Sequence, residues 1–322
     1  MKIYNLKINH KGLGLIAICL IQAAASGVRG QGITSVSDAF NYGVIYWGTT
    51  GNNLNINNGP GIDHLAVNGN IGIGGTGNLQ LSGPLTIDGN VNYSGTVMNN
   101  QGFTAGPGPF VNGNVTINGS IAGSVTQVQN DIGTASTGLT GLSAGLGGEA
   151  GMSLAINTGG GNQTVNVSGG TLDGAGNRVF NVSAVSFGNG QTLTINGTAS
   201  QYVVFNIGVN GGFNGGIVLT GGITSDHVIF NFIGGQGFQG SGNFSGTGET
   251  LTGIFLDPLG TIQLANTVID GRVFGGDSHD MAIVSGSQIN QPTPTVPDAV
   301  STMLLLGLGL GGIFAARKKF AC

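Results

Sequence analysis

Short runs of alternating apolar and polar residues recur through the middle of the chain, separated by glycine and asparagine. Leu79-Gln80-Leu81, Leu85-Thr86-Ile87, Val115-Thr116-Ile117, Val165-Asn166-Val167 and Leu193-Thr194-Ile195 each place apolar side chains on one face with period two. That is the pattern of a half-buried strand. Later runs are more apolar: Val203-Val204-Phe205, Ile217-Val218-Leu219, Val228-Ile229-Phe230, Ile254-Phe255-Leu256 and Ile262-Gln263-Leu264. A short phrase also repeats. Thr-Ile-Asp-Gly at 86–89 returns as Thr-Ile-Asn-Gly at 116–119 and 194–197, and residues 267–271 read Thr-Val-Ile-Asp-Gly. Asp-Gly and Asn-Gly tolerate positive φ, so each phrase ends a strand in a sharp corner. Hairpins need such corners, and so do the coils of a β-helix. The irregular spacing argues against a strict short repeat and fits coils whose loops vary in length on one side. A β-sandwich is the competing all-β architecture.

One segment breaks the β pattern. Val125, Val128, Ile132, Ala135, Leu139, Leu142 and Leu146 follow steps of three and four, the apolar stripe of a helix over about 124–146. Ser124 and Gln127 match a capping box at its start. Gly133, Gly138, Gly141 and Gly145 each weaken it by up to about 1 kcal/mol relative to alanine. The expected place of such a helix is along the flank of the β body, where the glycines allow close approach.

The two ends have a different character. Residues 1–30 read as a signal peptide: Lys2, Lys7 and Lys11 precede a short apolar run, Leu13 to Ile21, and Ala23-Ala24-Ala25 offers a cleavage site. A site after Gly30, with Val28 three positions in, is a second choice, and an uncleaved anchor is the alternative. At the other end, residues 291–298 form a Pro-rich linker ending in Val296-Pro297-Asp298. An apolar stretch from Ala299 to Ala316 then leads to Arg317-Lys318-Lys319. As a helix the stretch spans roughly 27 Å, enough to cross a membrane core, and the basic cluster stays cytoplasmic. The domains expected are thus 1–30, 31–290, 291–298 and 299–322, the last a transmembrane helix with a basic tail. This tail resembles the PEP-CTERM family of sorting signals in its Val-Pro-Asp variant, over residues 296–322. The resemblance implies recognition by an exosortase, a membrane protease. It also implies a precursor in the inner membrane and a product in the outer envelope or outside the cell. Asp298 is followed by Ala299-Val300 where the variant usually has Ser-Gly, and an ordinary C-terminal anchor is the alternative.

Charge narrows the range of functions. Between Gln31 and Val296 two arginines, Arg178 and Arg272, stand against twelve acids, a net charge of −10. Nucleic-acid binding needs clustered Lys and Arg, so no such partner is expected. The remaining polar groups are mostly Asn, Ser, Thr and Gln, which suit water, sugars or neutral surfaces. Both cysteines, Cys19 and Cys322, lie in segments expected to be removed. Stability must therefore come from the core and the backbone ladders.

No catalytic constellation stands out. His64, His227 and His279 each adjoin an aspartate, Asp63, Asp226 and Asp280, but neighbours on a strand point to opposite sides. No serine sits in a Gly-x-Ser-x-Gly elbow at a strand-to-helix turn. Glycosidases need paired carboxylates across a cleft, and the sequence designates no pair. Asp270, Asp277 and Asp280 are weak calcium candidates. Their spacing matches no calcium-loop motif, so neither metal nor cofactor is expected. Thr86, Thr116, Thr164, Thr192 and Thr194 are outward hydroxyls for surface binding, without the regular Thr-x-Thr series of a flat ice face. Tyr42, Tyr46 and Trp47 read either as a sugar-stacking cluster or, preferably, as a cap over an open end of the β core.

A Gly-rich β half carrying Val67-Asn68-Gly69-Asn70-Ile71-Gly72, then one helix, then a longer β half is similar to the ice-binding-like adhesive domains. Val228-Ile229-Phe230-Asn231-Phe232 and Ile269-Asp270-Gly271-Arg272-Val273 resemble that family's closing coils. The resemblance spans about residues 36–290. It implies an all-β, right-handed β-helix with one α-helix packed alongside, and surface binding or adhesion, in some members of ice. The expected function is adhesive or structural, toward extracellular polysaccharide or other cell surfaces. A ligand-specific binding module, for ice or polysaccharide, and a carbohydrate-active enzyme are the alternatives.

Overall fold

The period-two segments pair side by side and in parallel. The computed structural model describes residues 40–49, 51–57, 64–93, 111, 113–117, 152–173, 176–233, 237–241, 250–257, 259–275 and 279–292. Among these the chain is mostly β, and its helices are single 3-10 turns such as Val167–Gly169 and Ser225–His227. All strand pairs in this set are parallel except Thr171–Leu172 against Arg178–Ser186. A parallel pair cannot be closed by a hairpin. Here the chain winds through three strands per turn and stacks each turn on the next, giving three faces around one core.

The first face holds ten strands in register, starting with Met152–Asn157, Arg178–Ser186, Val203–Ile207, Val228–Phe232, Thr250–Asp257 and Val268–Gly275. The ladder then continues with Val44–Gly48, Ile71–Gly75, Val91–Tyr93 and Val115–Ile117. Spatial order is therefore not chain order: the N-terminal turns dock on the end of the C-terminal ones, with Val44 opposite Val273. The second face runs Gly211–Phe213, Phe238–Ser241, Ile262–Ala265, Met281–Val284, Asn53–Asn57 and Asn78–Ser82. On the third face Gln163–Asn166, Thr192–Asn196 and Gly216–Thr220 form one sheet. The leading halves of Thr250–Asp257 and Val268–Gly275 follow, then Gln288–Asn290, His64–Asn68 and Leu85–Asp88.

The core is filled by stacked like residues, because parallel register places the same position of successive turns together. Phe180, Phe205, Phe230 and Phe255 form one column with centroids 5.3, 5.1 and 4.9 Å apart and nearly parallel rings. Phe213 meets Phe230, Phe238 and Phe255 edge-on. In the N-terminal turns Ile, Leu and Val take over, with Tyr46 and Tyr93 buried among them. Both phenols donate to backbone oxygens, Tyr46 to His279 at 3.1 Å and Tyr93 to Gly77 at 2.9 Å. Burial raises both pKa values, that of Tyr93 to about 12.

The repeated Gly phrases at 86–89, 194–197 and 268–271 all fall at the corner between the third and first faces. Successive turns approach so closely there that a Cβ on Gly89 would sit 2.1 Å from the Gly69 carbonyl, and one on Gly113 would sit 2.2 Å from that of Gly89. The following asparagines bridge the turns. Asn70 Oδ1 accepts from the Asn90 amide and Asn90 Oδ1 from the Asn114 amide, each at 2.9 Å.

The first face is apolar on its outer side too. Ile45, Val204, Ile229, Ile254, Leu256 and Phe274 form a second buried cluster with Tyr42. Asn231 donates to Asn206 at 2.9 Å within it. This explains the unbroken apolar runs, since a strand covered on both sides loses its alternation. The helix expected over 124–146 lies outside the described residues. The strands that flank it, Val115–Ile117 and Met152–Asn157, sit at opposite ends of the first face. The signal peptide and the apolar C-terminal stretch are likewise outside the described residues. Among the described residues no helix is long and apolar enough to cross a membrane.

The aromatic cluster near Tyr42 does not cap an open end, contrary to expectation. Val44–Gly48 is an internal rung between Val268–Gly275 and Ile71–Gly75. Tyr46 points into the core, and Tyr42 lies on the outer side, its hydroxyl accepting from Asn92 at 2.9 Å. The start of the domain looks terminal only along the chain.

Candidate functional site: the amide-lined second face

On the second face the alternation is strict. Leu54, Ile56, Leu79, Leu81, Ile262, Leu264, Met281 and Ile283 point inward and are buried. The outward positions fall into register as a row across six strands: Gly212, Gln239, Gln263, Ala282, Asn55 and Gln80. Beside it runs Ala265, Val284, Asn57 and Ser82. No outward position on these strands carries a charged side chain. At one end the face dips into an open groove of ≈ 370 Å³, lined by Asn210, Gly211, Gly212, Gly237, Gln239, Thr261, Gln263 and His279. Asn210 Oδ1 holds the Gly237 amide at 3.1 Å, which fixes the wall between two turns. At the groove's edge Asp280 Oδ1 accepts from the Asn53 amide at 2.7 Å, joining the two halves of the solenoid.

The five threonines are spread over two faces. Thr164 and Thr194 are register partners on the third face, but the next position in their row is Val218. Thr192 pairs with Gly216 on the same sheet. Thr86 lies on the third face in the N-terminal half, opposite Leu65, and Thr116 lies on the first face, opposite Asn92. The structure therefore brings together one threonine pair and no array.

The acidic candidates also separate. Asp270 accepts from Asn290 Nδ2 at 2.8 Å on the third face, Asp280 sits at the second, and Asp277 lies outside the described residues. Among the described residues no group of three His, Cys, Asp or Glu side chains is placed to hold a metal. Asp226 and His227 diverge. Asp226 pairs with Arg272, whereas His227 stacks on Tyr202 at 3.9 Å, and burial lowers its pKa. The side chain of His64, and Asp63, are outside the described residues. Arg178 donates to the Gly170 carbonyl at 3.1 Å. Arg272 is fully buried, its guanidinium 5.0 Å from the Phe40 ring centroid. Nη2 of Arg272 donates to the carbonyls of Phe40 at 3.0 Å and Pro292 at 3.4 Å. Both arginines thus serve the backbone and no groove.

Residues 29–290 match the family model of the ice-binding-like adhesive domain. The chain belongs to this family. Residues 295–320 match the VPDSG-CTERM motif, a C-terminal sorting motif. Val296, Pro297, Asp298 and the basic Arg317, Lys318 and Lys319 fall within that match, outside the described residues. Among curated proteins no relative matches. Solved structures similar to this adhesive-domain protein include an ice-binding protein from the Antarctic ascomycete Antarctomyces psychrotrophicus. It has 16% identity and a TM-score of 0.47, and the match covers 80% of this chain and 98% of that one. A glycosylated ice-binding protein from an Arctic yeast gives 15% and 0.48, covering 82% and 96%. An ice-binding protein domain from Shewanella frigidimarina gives 15% and 0.44, covering 80% and 97%.

The groove and its row of amides were the part of the site that sequence reasoning missed. The alternation already turned Gln80 and Gln263 outward. What brings them into one row is the docking of Asn53–Asn57 on Met281–Val284, residues more than two hundred positions apart.

Proposed function

We propose that this adhesive-domain protein is exported, non-catalytic and adhesive, and that it meets neutral hydrated surfaces through its second face. The observation that carries this reading is the register-matched row of amides and small residues over six strands with no charge among them. Amides offer donors and acceptors together, as sugar hydroxyls and cell-surface glycans require. A carbohydrate-active enzyme would need paired acids or a positioned base in a cleft, and the described acids are dispersed: Asp173, Asp226, Asp270 and Asp280 each bond to a different part of the fold.

The finer parts of the reading belong to the same proposal. Residues 1–30 direct export and are cleaved. The winding is right-handed, as parallel crossovers almost always are. The helix over 124–146 covers the outer apolar stripe of the first face. The stretch from Ala299 to Ala316 spans the inner membrane in the precursor, and an exosortase-type protease cuts near Val296-Pro297-Asp298 to send the domain to the outer envelope or outside. A pulse-chase of the expressed chain tests this sequence of events: the product should lose mass at both ends, and Asp298→Ala should hold it at the membrane. Persistence of the uncut chain in wild type refutes the processing.

Ice binding is the second reading. It rests on the family and on the Thr164–Thr194 pair. Thermal hysteresis by the purified protein, lost in Thr164→Ala/Thr194→Ala, would place it first.

A further inference from the structure

We infer that the groove at the end of the second face, formed by Asn210, Gln239, Thr261, Gln263 and His279 around Gly212, is a binding site for a neutral polysaccharide chain. The inference deepens the adhesive reading above and rests on it.

Gly212 is the first argument. A glycine inside a strand weakens it and normally marks a bulge or a close approach. Its neighbour Gly211 has such a reason, since a Cβ there would come within 2.5 Å of the Phe232 ring. Gly212 has none: a Cβ would meet nothing within 4 Å, and its φ lies outside the positive range that calls for glycine. What its missing side chain does is leave the floor of the groove open beside Gln239, its register partner.

The lining gives the second argument. Two glutamines, one asparagine, one threonine and one histidine line the groove with no carboxylate or permanent cation among them, and the Asp280 carboxylate at its edge is engaged by the Asn53 amide. Carboxamides bind vicinal hydroxyls by donating and accepting at once. The domain carries a net charge of −10 over residues 31–296, which repels uronic, sulfated and phosphate polymers. A neutral sugar chain is the occupant that remains. The row onward through Ala282, Asn55 and Gln80 supplies a track for a polymer longer than the groove.

The first and last described residues of the domain meet at one corner. Arg272 binds the carbonyls of both Phe40 and Pro292, and Gln291 donates to Phe40 at 3.2 Å. Both ends of the domain therefore depart from the corner between the third and first faces, partway along the stack. In a three-faced coil that corner is opposite the second face. The second face, with its groove, is therefore the face farthest from both connections and is left clear of them.

The test is affinity electrophoresis of the full chain in mild detergent through gels containing dextran, laminarin or galactomannan, with alginate as the acidic comparison. Retardation by at least one neutral polymer and none by alginate is expected. Gly212→Gln, which fills the floor, and the pair Gln239→Ala/Gln263→Ala, which empties the walls, should each weaken it by about tenfold, the worth of one or two hydrogen bonds. Melting temperatures should stay unchanged, and Thr224→Ala, at an exposed corner remote from the groove, should bind as wild type does. Two variants guard against one of them failing to fold. Wild-type retardation that both folded variants retain overturns the groove and leaves adhesion by another surface standing, as does adhesion to whole cells without retardation by any neutral polymer. Stronger retardation by alginate also overturns it. Neither retardation nor cell adhesion sinks the groove and the adhesive function together.

Discussion

Asp257 offers the sharpest test of how this solenoid is held together. It ends the strand Thr250–Asp257 and is fully buried. One carboxyl oxygen accepts from the Gly260 amide at 2.8 Å, and the other has no partner. Burial pushes its pKa up to about 7, against the opposing effect of nearby backbone amides. The unfolded chain titrates near the ordinary carboxylate value of about 4. Between those two pH values the folded state holds a proton that the unfolded state has lost, so stability falls as pH rises through this window. Three pH units correspond to about 4 kcal/mol, or roughly 8–16 °C in melting temperature for a domain of this size. His227, whose pKa burial lowers, works in the opposite sense, with stability lost as pH falls below about 6.5. The net wild-type profile is therefore shallower than Asp257 alone would give. Asp257→Asn separates the two: it keeps the neutral shape and the acceptor for Gly260 and removes the titration. Thermal melts from pH 4 to pH 8 should show the variant level with wild type at the acid end and several degrees above it at the alkaline end. Parallel profiles across the whole range would refute the assignment of a buried, proton-holding carboxyl.

Three further outcomes follow from the packing. Phe230→Ala, in the middle of the ring column and fully buried, should cost about 3–5 kcal/mol in urea unfolding. A loss under 1 kcal/mol would mean that the column is not packed as described. Gly89→Ala should lower the melting temperature markedly, because its Cβ would meet the Gly69 carbonyl at 2.1 Å. Gly160→Ala, with open space around it, should be nearly silent, and equal effects would contradict the tight corner. Leu139→Asp, on the apolar stripe of the expected helix, should expose the outer side of the first face and unfold the domain. An unchanged circular-dichroism melt would separate that helix from the stripe.

Much of this fold was legible from local pattern. The runs around Leu79, Leu85, Leu193 and Ile262 are strands because period two buries one side of each. The phrases ending at Gly89 and Gly271 are corners where the stacked backbone leaves no room for a Cβ, and at Gly197 the Val167 side chain fills that space. The order of the turns was not legible. Val44 lies opposite Val273, and Ile289 opposite Val67, and nothing near either residue announces a partner so far along the chain. The misplacement of Tyr42, Tyr46 and Trp47 at an open end came from the same blindness. The Asn70, Asn90 and Asn114 ladder escaped for a different reason. Its spacing of 20 and then 24 residues is uneven, while its register in space is regular.

The contrast among the three faces carries the functional argument further than any single residue does. The first face is apolar on both sides, and its outer polar groups, Asn206, Asn231 and Arg272, are buried with partners, so it is committed to structure. The third face carries Asp88, Asp270 and the ends of the turns, and its polar side chains bond to one another, as in Asn196 to Asn166 at 3.0 Å and Asn290 to Asp270 at 2.8 Å. Those groups already have partners, and a ligand would have to displace them. On the second face Asn78 donates to Asn53 at 3.3 Å at the far edge, but the row from Gln239 to Gln80 is interrupted by Ala282, and a groove opens at its other end beside Gly212. Hydrogen bonds to a ligand contribute most where donors and acceptors face water in the free protein and need not first break bonds to each other. By that criterion the second face is the one equipped to bind, and it faces away from the corner where both ends of the domain are fastened.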